Sequence, residues 1–205
     1  MNTLVRDIVA GDPDLNRSTS APIVRPRPSR PLSDGLREAI GADTGDVAVL
    51  PMAMEAAWTE ALTRNLMPGQ TLVLIGLVDE SPLADLARRL ELNVEAFPAE
   101  RDGSRSFADL AKRLGADAED AVAAVAVICP EDGATSAALI SGTRILLDHA
   151  WHGAKLFVED RGLIGAAAFA MDAWGVDLVC ADSGTVDCLP AGMTVVGERQ
   201  SIPRH

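Results

Sequence analysis

The sequence predicts an α/β fold built on a mainly parallel sheet with helices on both faces. Two observations carry this prediction. Short, continuous apolar runs recur along the chain, and such runs are typical of strands that are buried on both faces. Between them lie segments whose apolar residues follow helical spacing. This alternation of strands and helices is the pattern of a parallel sheet covered on both sides.

The five predicted strands are continuous apolar runs. In chain order they are VAVL (47–50), TLVLIGLV (71–78), VAAVAVIC (122–129), KLFVE (155–159) and VDLVCA (176–181).

The predicted helices are amphipathic stripes between these strands. Ser81 before Pro82 supplies a helix N-cap followed by proline at the first helical position. Apolar residues at helical spacing define the four stripes, which are Met54, Trp58 and Leu62; Leu83, Leu86, Ala87 and Leu90; Phe107, Leu110, Ala111 and Leu114; and Leu139, Thr143, Leu146, Leu147 and Ala150.

Residues 1–33 are predicted to form an extended N-terminal arm rich in Pro, Ser and Arg, and residues 34–205 the α/β domain. Repeated proline disfavours a helix in the arm. Two interpretations of the arm stay open, a solvated tail and a strap that wraps a partner subunit. The arm is locally basic because of Arg17, Arg25, Arg27 and Arg30.

The composition excludes several classes of protein. The 205 residues are 48% hydrophobic, enough for one domain with a substantial core, and carry a net charge of −12. An acidic surface argues against binding to nucleic acid or anionic membranes. No apolar run reaches the roughly 20 residues that span a bilayer, and the N-terminus lacks the apolar core of a signal peptide. We therefore expect a cytoplasmic protein.

In open α/β sheets, ligands bind beyond the carboxyl ends of the strands. Five carboxylates gather at the predicted strand ends: Glu131, Asp132, Glu159, Asp160 and Asp182. They are compatible with a metal or acid–base site and equally with solvated loop charge. No histidine and no D-x-D spacing accompanies them, and the three cysteines lack metal-ligand spacing, so no metal site is expected.

Four stretches of the chain resemble class V pyridoxal-phosphate-dependent aminotransferases, particularly the alanine/serine–glyoxylate branch. The most specific stretch is FAMDAWGVDLVCADSGTVDCLPAGMTVVGE (169–198), with its Trp-Gly-Val-Asp and Pro-Ala-Gly motifs. Residues 23–40, 53–97 and 146–160 echo other parts of the same family. The resemblance implies the large domain of fold-type I transferases, a pyridoxal 5′-phosphate cofactor and homodimers with active sites at the interface.

The resemblance also implies positions for the cofactor. The aspartate that pairs with the pyridine nitrogen corresponds to Glu159, and the lysine that bonds the cofactor corresponds to Thr185, two residues after Ser183. Threonine cannot form an imine. The Gly/Ser/Thr phosphate loop expected after Pro51 is missing, the ring-stacking aromatic corresponds to Leu83, and the family's small domain has no counterpart in the sequence.

The sequence therefore predicts a degenerate, truncated relative that has no catalytic residue and needs no cofactor. Its predicted role is interaction, as a homodimer or as the partner of a full-length aminotransferase. The alternative is an enzyme with residual or altered pyridoxal-phosphate-dependent activity on small amino acids and glyoxylate. That enzyme would use Glu131, Glu159, Asp160 or Asp182. A third possibility is a decayed gene product without a selected role.

Overall fold

The computed structural model describes residues 30–98, 104–164, 169–184 and 191–199. Within them, seven strands form a single sheet: β1 (Gly45–Leu50), β2 (Thr71–Gly76), β3 (Asn93–Pro98), β4 (Val122–Ile128), β5 (Lys155–Asp160), β6 (Leu178–Asp182) and β7 (Thr194–Arg199). The helices are α1 (Arg30–Ile40), α2 (Met54–Asn65), α3 (Leu83–Arg89), α4 (Ser104–Gly115) and α5 (Gly133–His149).

The sheet is mainly parallel, as the sequence predicts. The strand order is β1-β7-β6-β5-β4-β2-β3. Strands β2 to β6 pair in parallel with their neighbours. Strand β7 lies between β1 and β6 and runs antiparallel to both. The carboxyl ends of all the strands except β7 therefore meet at one edge, which we call the carboxyl edge.

Alternate strand residues point to opposite sides of the sheet, so both faces carry apolar side chains. Helices cover both faces. On one face, apolar residues of α1, α4 and α5 such as Leu36, Leu110 and Ile140 form one buried cluster with the strands. On the other face, α2 and α3 contribute Trp58, Leu83 and their neighbours to a second cluster. The predicted layers are therefore confirmed.

All five predicted strands and all four predicted helices are present, but the sequence prediction lacks three elements. Strand β3 is an edge strand without a fully buried residue, so it lacks the apolar run that marks its neighbours. Strand β7 carries Gly197 in its centre, which weakens its strand signal. Helix α1 begins at Arg30, so residues 30–33 of the predicted arm are helical, while residues 1–29 lie outside the described part.

The three tryptophans have different environments. Trp58 is fully buried and packs against Phe157, and Trp174 is partly buried with its ring 5.3 Å from that of Phe169. Trp151 is 95% exposed. Of the three tryptophans, only Trp151 exposes its ring to solvent.

Two further sequence features are visible in the described residues. Cys129 and Cys180 are buried free thiols, and their burial raises the pKa of both. None of the helices described here has the length and apolar content needed to traverse a bilayer.

Candidate functional site

Glu159 lies near the end of β5, at the carboxyl edge, and its carboxylate is 1% exposed. One oxygen, Oε2, accepts a hydrogen bond of 2.7 Å from the hydroxyl of Ser81. The other, Oε1, accepts bonds of 3.2 and 3.1 Å from Nε and Nη2 of Arg161. Of the interpretations left open for Glu159, solvated loop charge is therefore wrong, because Arg161 and Ser81 surround and neutralise this carboxylate.

Arg161 joins two parts of the carboxyl edge. Its guanidinium also donates to the backbone carbonyl and to the side chain of Glu80, which precedes α3. Ser81 in turn accepts a bond of 3.1 Å from the N–H of Leu83, at the start of α3. These contacts form a closed polar network of four residues, Glu80, Ser81, Glu159 and Arg161, which we call the edge network.

Asp160 follows Glu159 and points to the opposite face of the sheet. Its two oxygens accept bonds of 2.9 and 3.0 Å from the N–H groups of Leu163 and Ile164. Burial raises the pKa of Asp160 above its ordinary value, although the backbone bonds oppose this shift. The residue shapes the loop after β5.

Ser183 lies in the turn after β6 and is 5% exposed. Its hydroxyl donates to Oδ1 of Asp182 at 3.3 Å and accepts from the N–H of Met193 at 3.3 Å. Asp182 also accepts a bond of 2.7 Å from the N–H of Gly184. Both side chains thus hold the turn itself. Thr185, the predicted lysine position, lies outside the described residues.

The turn between β1 and α2 is closed on itself. Pro51 has no N–H, and the N–H of Met52 donates to the carbonyl of Leu50 at 2.9 Å. The hydroxyl of Thr194 donates to the carbonyl of Met52 at 2.8 Å. Phosphate-binding turns instead direct free N–H and hydroxyl groups at the ligand.

The two lysines of the chain lie away from the carboxyl edge. Lys155 begins β5, four residues before Glu159, which is about 13 Å along a strand. Its ammonium group donates to Oδ1 of Asn65 at 2.7 Å. Lys112 lies near the end of α4. Neither is placed to serve a ligand that contacts Glu159.

The remaining predicted carboxylates do not join this network. Glu131 is exposed, and Asp132 caps α5 by accepting from the N–H groups of Ala134 and Thr135. Across the described ranges, no group of three or more His, Cys, Asp or Glu side chains is arranged to hold a metal ion.

These contacts test whether the site fits pyridoxal phosphate. A pyridinium nitrogen needs an accessible carboxylate oxygen, and the carboxylate of Glu159 is 1% exposed and already bound by Ser81 and Arg161. The phosphate needs free donors, and the turn at Pro51 offers none through residues 51 and 52. The described residues therefore do not fit the cofactor.

Sequence reasoning finds Glu159 but not its partners. Arg161 lies two residues after Glu159, a spacing that places both side chains at one strand end, and this was the available signal for the pair. Ser81 lies 78 residues away from Glu159 in sequence, and no pattern in a single sequence indicates that contact.

Comparisons with known proteins show that the chain is similar to glyoxylate aminotransferases. It is 30% identical over 172 residues to a serine–glyoxylate aminotransferase of Arabidopsis thaliana, and 29% identical over 172 residues to that of Methylorubrum extorquens. An L-aspartate–glyoxylate aminotransferase of Paracoccus denitrificans is 28% identical over 177 residues. These alignments cover 82–83% of this chain and 42–43% of the relatives. No protein-family model matches the chain.

Solved structures share the fold. The ureidoglycine–glyoxylate aminotransferase of Bacillus subtilis matches with a TM-score of 0.63 at 16% identity, over 82% of this chain and 42% of that one. An alanine–glyoxylate aminotransferase from Nostoc sp. matches with a TM-score of 0.59 at 20% identity, over 83% and 44%. The chain spans less than half the length of the relatives it matches. The resemblance to class V aminotransferases is thus confirmed over less than half of the relatives' length, with the large-domain fold of fold-type I transferases.

Proposed function

We propose that this chain is a non-catalytic, aminotransferase-like protein that acts by association, either with a second copy of itself or with an intact aminotransferase. The observation that carries the proposal is the edge network. The carboxylate that corresponds to the cofactor partner of the family is buried, and Arg161 and Ser81 occupy both of its oxygens.

Opening this network for a cofactor is unfavourable. Removing Arg161 from a carboxylate that is 1% exposed leaves a buried charge without its partner, which costs about 3–5 kcal/mol. A ligand would have to supply that free energy before it bound with any net affinity. Among the described residues, no lysine lies near Glu159, which supports the same proposal. Lys155 is at the opposite end of β5, and its ammonium group donates to Asn65.

The catalytic part of the proposal is tested by incubating the full chain with pyridoxal phosphate, reducing with borohydride and mapping the adducts. We expect only scattered, substoichiometric labelling of lysines. A serine–glyoxylate aminotransferase treated in parallel is the positive control. One pyridoxyl group per chain at Lys112 or Lys155, or amino transfer from serine to glyoxylate, would refute the proposal and support the enzymatic alternative.

Restoring one residue tests the same point more sharply. Thr185→Lys supplies the missing amine, but Glu159 stays paired and the turn at Pro51 stays closed. We expect the variant to remain inactive, because catalysis by bound groups depends on their positioning. Robust amino transfer by the Thr185→Lys chain would show that the edge network is no obstacle.

The association part is tested by light scattering coupled to size exclusion at low micromolar concentration. We expect a mass above that of one chain, or co-elution with an intact aminotransferase from the same cell. A sharp monomer with a cooperative melt that binds no aminotransferase would contradict it.

A further inference from the structure

The turn between α5 and β5 is closed by a buried histidine. The side chain of His152 is 4% exposed, and both of its ring nitrogens have partners. Nε2 lies 3.0 Å from Oδ2 of Asp117, and Nδ1 accepts a hydrogen bond of 3.1 Å from the N–H of Ala154. Because Nδ1 is an acceptor, the ring in this arrangement is neutral and carries its one hydrogen on Nε2.

A second proton on this ring has to bind Nδ1. An imidazolium donates from both nitrogens and accepts at neither, so the new hydrogen on Nδ1 points at the N–H of Ala154. Two donors that face each other repel, and a buried N–H group without an acceptor is strongly disfavoured. The hydrogen bond from Ala154 therefore breaks when His152 gains its second proton.

The Nε2 side of the ring keeps its partner under the same conditions. Burial would raise the pKa of Asp117, but the bonds from Val122, Arg113 and His152 outweigh burial and hold this pKa at about 2. Histidines ordinarily gain their second proton between pH 8 and pH 5. Asp117 is ionised throughout that range, so it accepts from Nε2 before and after the ring is protonated.

The other charged groups around His152 are exposed or paired elsewhere. Oδ1 of Asp120, in the connection after α4, lies 4.0 Å from Nε2, and the side chain of Asp120 is 83% exposed. At the end of α5, Asp148 pairs within the helix and His149 is exposed. Lys155, at the start of β5, donates to an amide of α2. Both nearby carboxylates thus face Nε2, and neither offers an acceptor for a hydrogen on Nδ1.

The turn contains a residue in an unfavourable backbone conformation. Trp151 has a left-handed φ of 52°, which is disfavoured for a residue with a side chain. Such conformations persist where the surrounding contacts hold them. Here the N–H of His152 donates to the carbonyl of Leu147 at 3.0 Å, and the bond from Ala154 to Nδ1 closes the turn on the other side. Loss of the second bond lets the turn relax.

We propose that His152 is an acid-sensitive latch on the turn of residues 150–154. When the ring gains its second proton, the N–H of Ala154 leaves Nδ1 for solvent and the turn opens. Nε2 stays bound to Asp117, so the sheet stays folded. The turn carries the exposed ring of Trp151, and a fall in pH therefore changes how this ring is presented.

The test measures amide hydrogen exchange in the full chain by NMR at pH 7.5 and pH 5.0, with each rate compared with the intrinsic rate at that pH. The protection of the Ala154 amide should fall by roughly five- to tenfold at pH 5.0, as for the loss of one hydrogen bond. The control is the amide of Asn93, which donates to the carbonyl of Gln70 at 2.9 Å and should keep its protection. Equal protection of Ala154 at the two pH values would overturn the proposal.

A pair of histidine variants separates the latch from general effects of acid. An asparagine side chain accepts the N–H two residues ahead in an Asx turn, so His152→Asn keeps an acceptor for Ala154 and has no titrating ring. The protection of Ala154 should then be equal at both pH values. His149→Asn, at the neighbouring exposed histidine, should retain the wild-type fall. A fall that persists in His152→Asn, or that disappears in His149→Asn, would refute the assignment to His152.

A measurement on the wild-type chain makes the same test without a variant. The ¹⁵N signals of the His152 ring should report a proton added to Nδ1 over the same pH interval in which Ala154 loses its protection. If Ala154 loses protection while the ring stays neutral, or keeps protection after Nδ1 is protonated, the latch is excluded.

Discussion

Glu159 and Asp117 are two carboxylates buried at opposite edges of the sheet, and their positions imply different roles. Glu159 lies at the carboxyl edge and is 1% exposed; the side chain of Asp117, after α4 at the other edge, is 4% exposed. Both are paired with an arginine, Arg161 or Arg113. Both have hydrogen-bond donors from the chain on each oxygen.

The site around Asp117 is a structural connection. Its oxygens accept from Arg113 at 3.1 Å, from the N–H of Val122 at 2.8 Å and from His152 at 3.0 Å. The N–H of Ala154 donates to Nδ1 of His152, so Nε2 carries the hydrogen and donates to Oδ2 of Asp117. These bonds tie α4, β4 and the turn before β5 together.

The comparison teaches that a buried, paired carboxylate is not by itself a functional signal. What such a carboxylate indicates depends on the edge of the sheet at which it lies. At the amino edge of an open α/β sheet, such pairing stabilises connections, whereas the carboxyl edge is where ligands bind. At the carboxyl edge of this chain, Glu159 is held by the same kind of contacts as Asp117 at the other edge. The four predictions below test that equivalence.

The largest effect is expected for Arg161→Ala, which leaves Glu159 buried without its cation. We expect the free energy of unfolding to fall by about 3–5 kcal/mol, measured by urea denaturation. Arg88→Ala is the control, since Arg88 forms an exposed pair with Asp85, and exposed pairs contribute roughly 0.2–1 kcal/mol. Similar losses in the two variants would mean that the edge network is not a buried pair.

The next effect concerns Asp117. Burial would raise its pKa, but the bonds from Val122, Arg113 and His152 outweigh burial and hold the pKa at about 2, against 3.8 for a free side chain. Its folded-state pKa is lowered, so its contribution of about 2 kcal/mol is present above pH 4 and is lost as the pH falls toward 2.

Asp117→Asn should therefore remove about 2 kcal/mol at pH 7, with a difference from wild type that shrinks between pH 4 and pH 2. The difference isolates Asp117 from Asp160, whose raised pKa contributes in the opposite direction. A pH-independent difference between the two unfolding curves would show that the carboxylate of Asp117 has no such shift.

A smaller effect is expected for Ser81→Ala. The hydroxyl donates to Glu159 and accepts from the N–H of Leu83, so its removal should cost about 1–2 kcal/mol. The control is Ser141→Ala, whose hydroxyl bonds only within α5 and whose replacement by a better helix former should cost nothing. A neutral Ser81→Ala would remove this serine from the edge network.

The smallest effect is expected at Trp151, which precedes His152 with a left-handed φ of 52°. This conformation costs a residue with a side chain about 1 kcal/mol relative to glycine. We therefore expect Trp151→Gly to be about 1 kcal/mol more stable than Trp151→Ala, since both remove the ring and only glycine relieves the backbone. Equal free energies of unfolding for Trp151→Gly and Trp151→Ala would exclude strain in the turn that positions His152.

The fold was more predictable from sequence than the site. Buried strands such as β4 are continuous apolar runs, so their identity follows from a local pattern. Strand β3 and helix α1 have no such pattern, because β3 is half-exposed and α1 begins within a proline-rich segment. Local sequence thus specifies the strands that are buried on both faces and the helices with a clear apolar stripe.

At the site, residue types were predictable and contacts were not. The position of Glu159 follows from strand periodicity and from the family resemblance. Its burial depends on contacts with Arg161 and Ser81. Ser81 follows a different strand, β2, and is distant from Glu159 in sequence. The pairing of Asp117 with His152 joins residues 35 apart and has no sequence signature either. Long-range polar contacts decide whether a carboxylate is solvated.

The position of β7 in the sheet has a consequence for biosynthesis. The paired residues of β1 and β7 are about 150 residues apart along the chain, so β1 lacks the one strand it pairs with among the described residues until β7 has emerged from the ribosome. At the usual rate of synthesis this interval is roughly 10–30 s. Throughout it, Val47 and Val49 lack the neighbouring strand that the finished sheet provides, and we expect the nascent chain to need chaperone protection until β7 inserts.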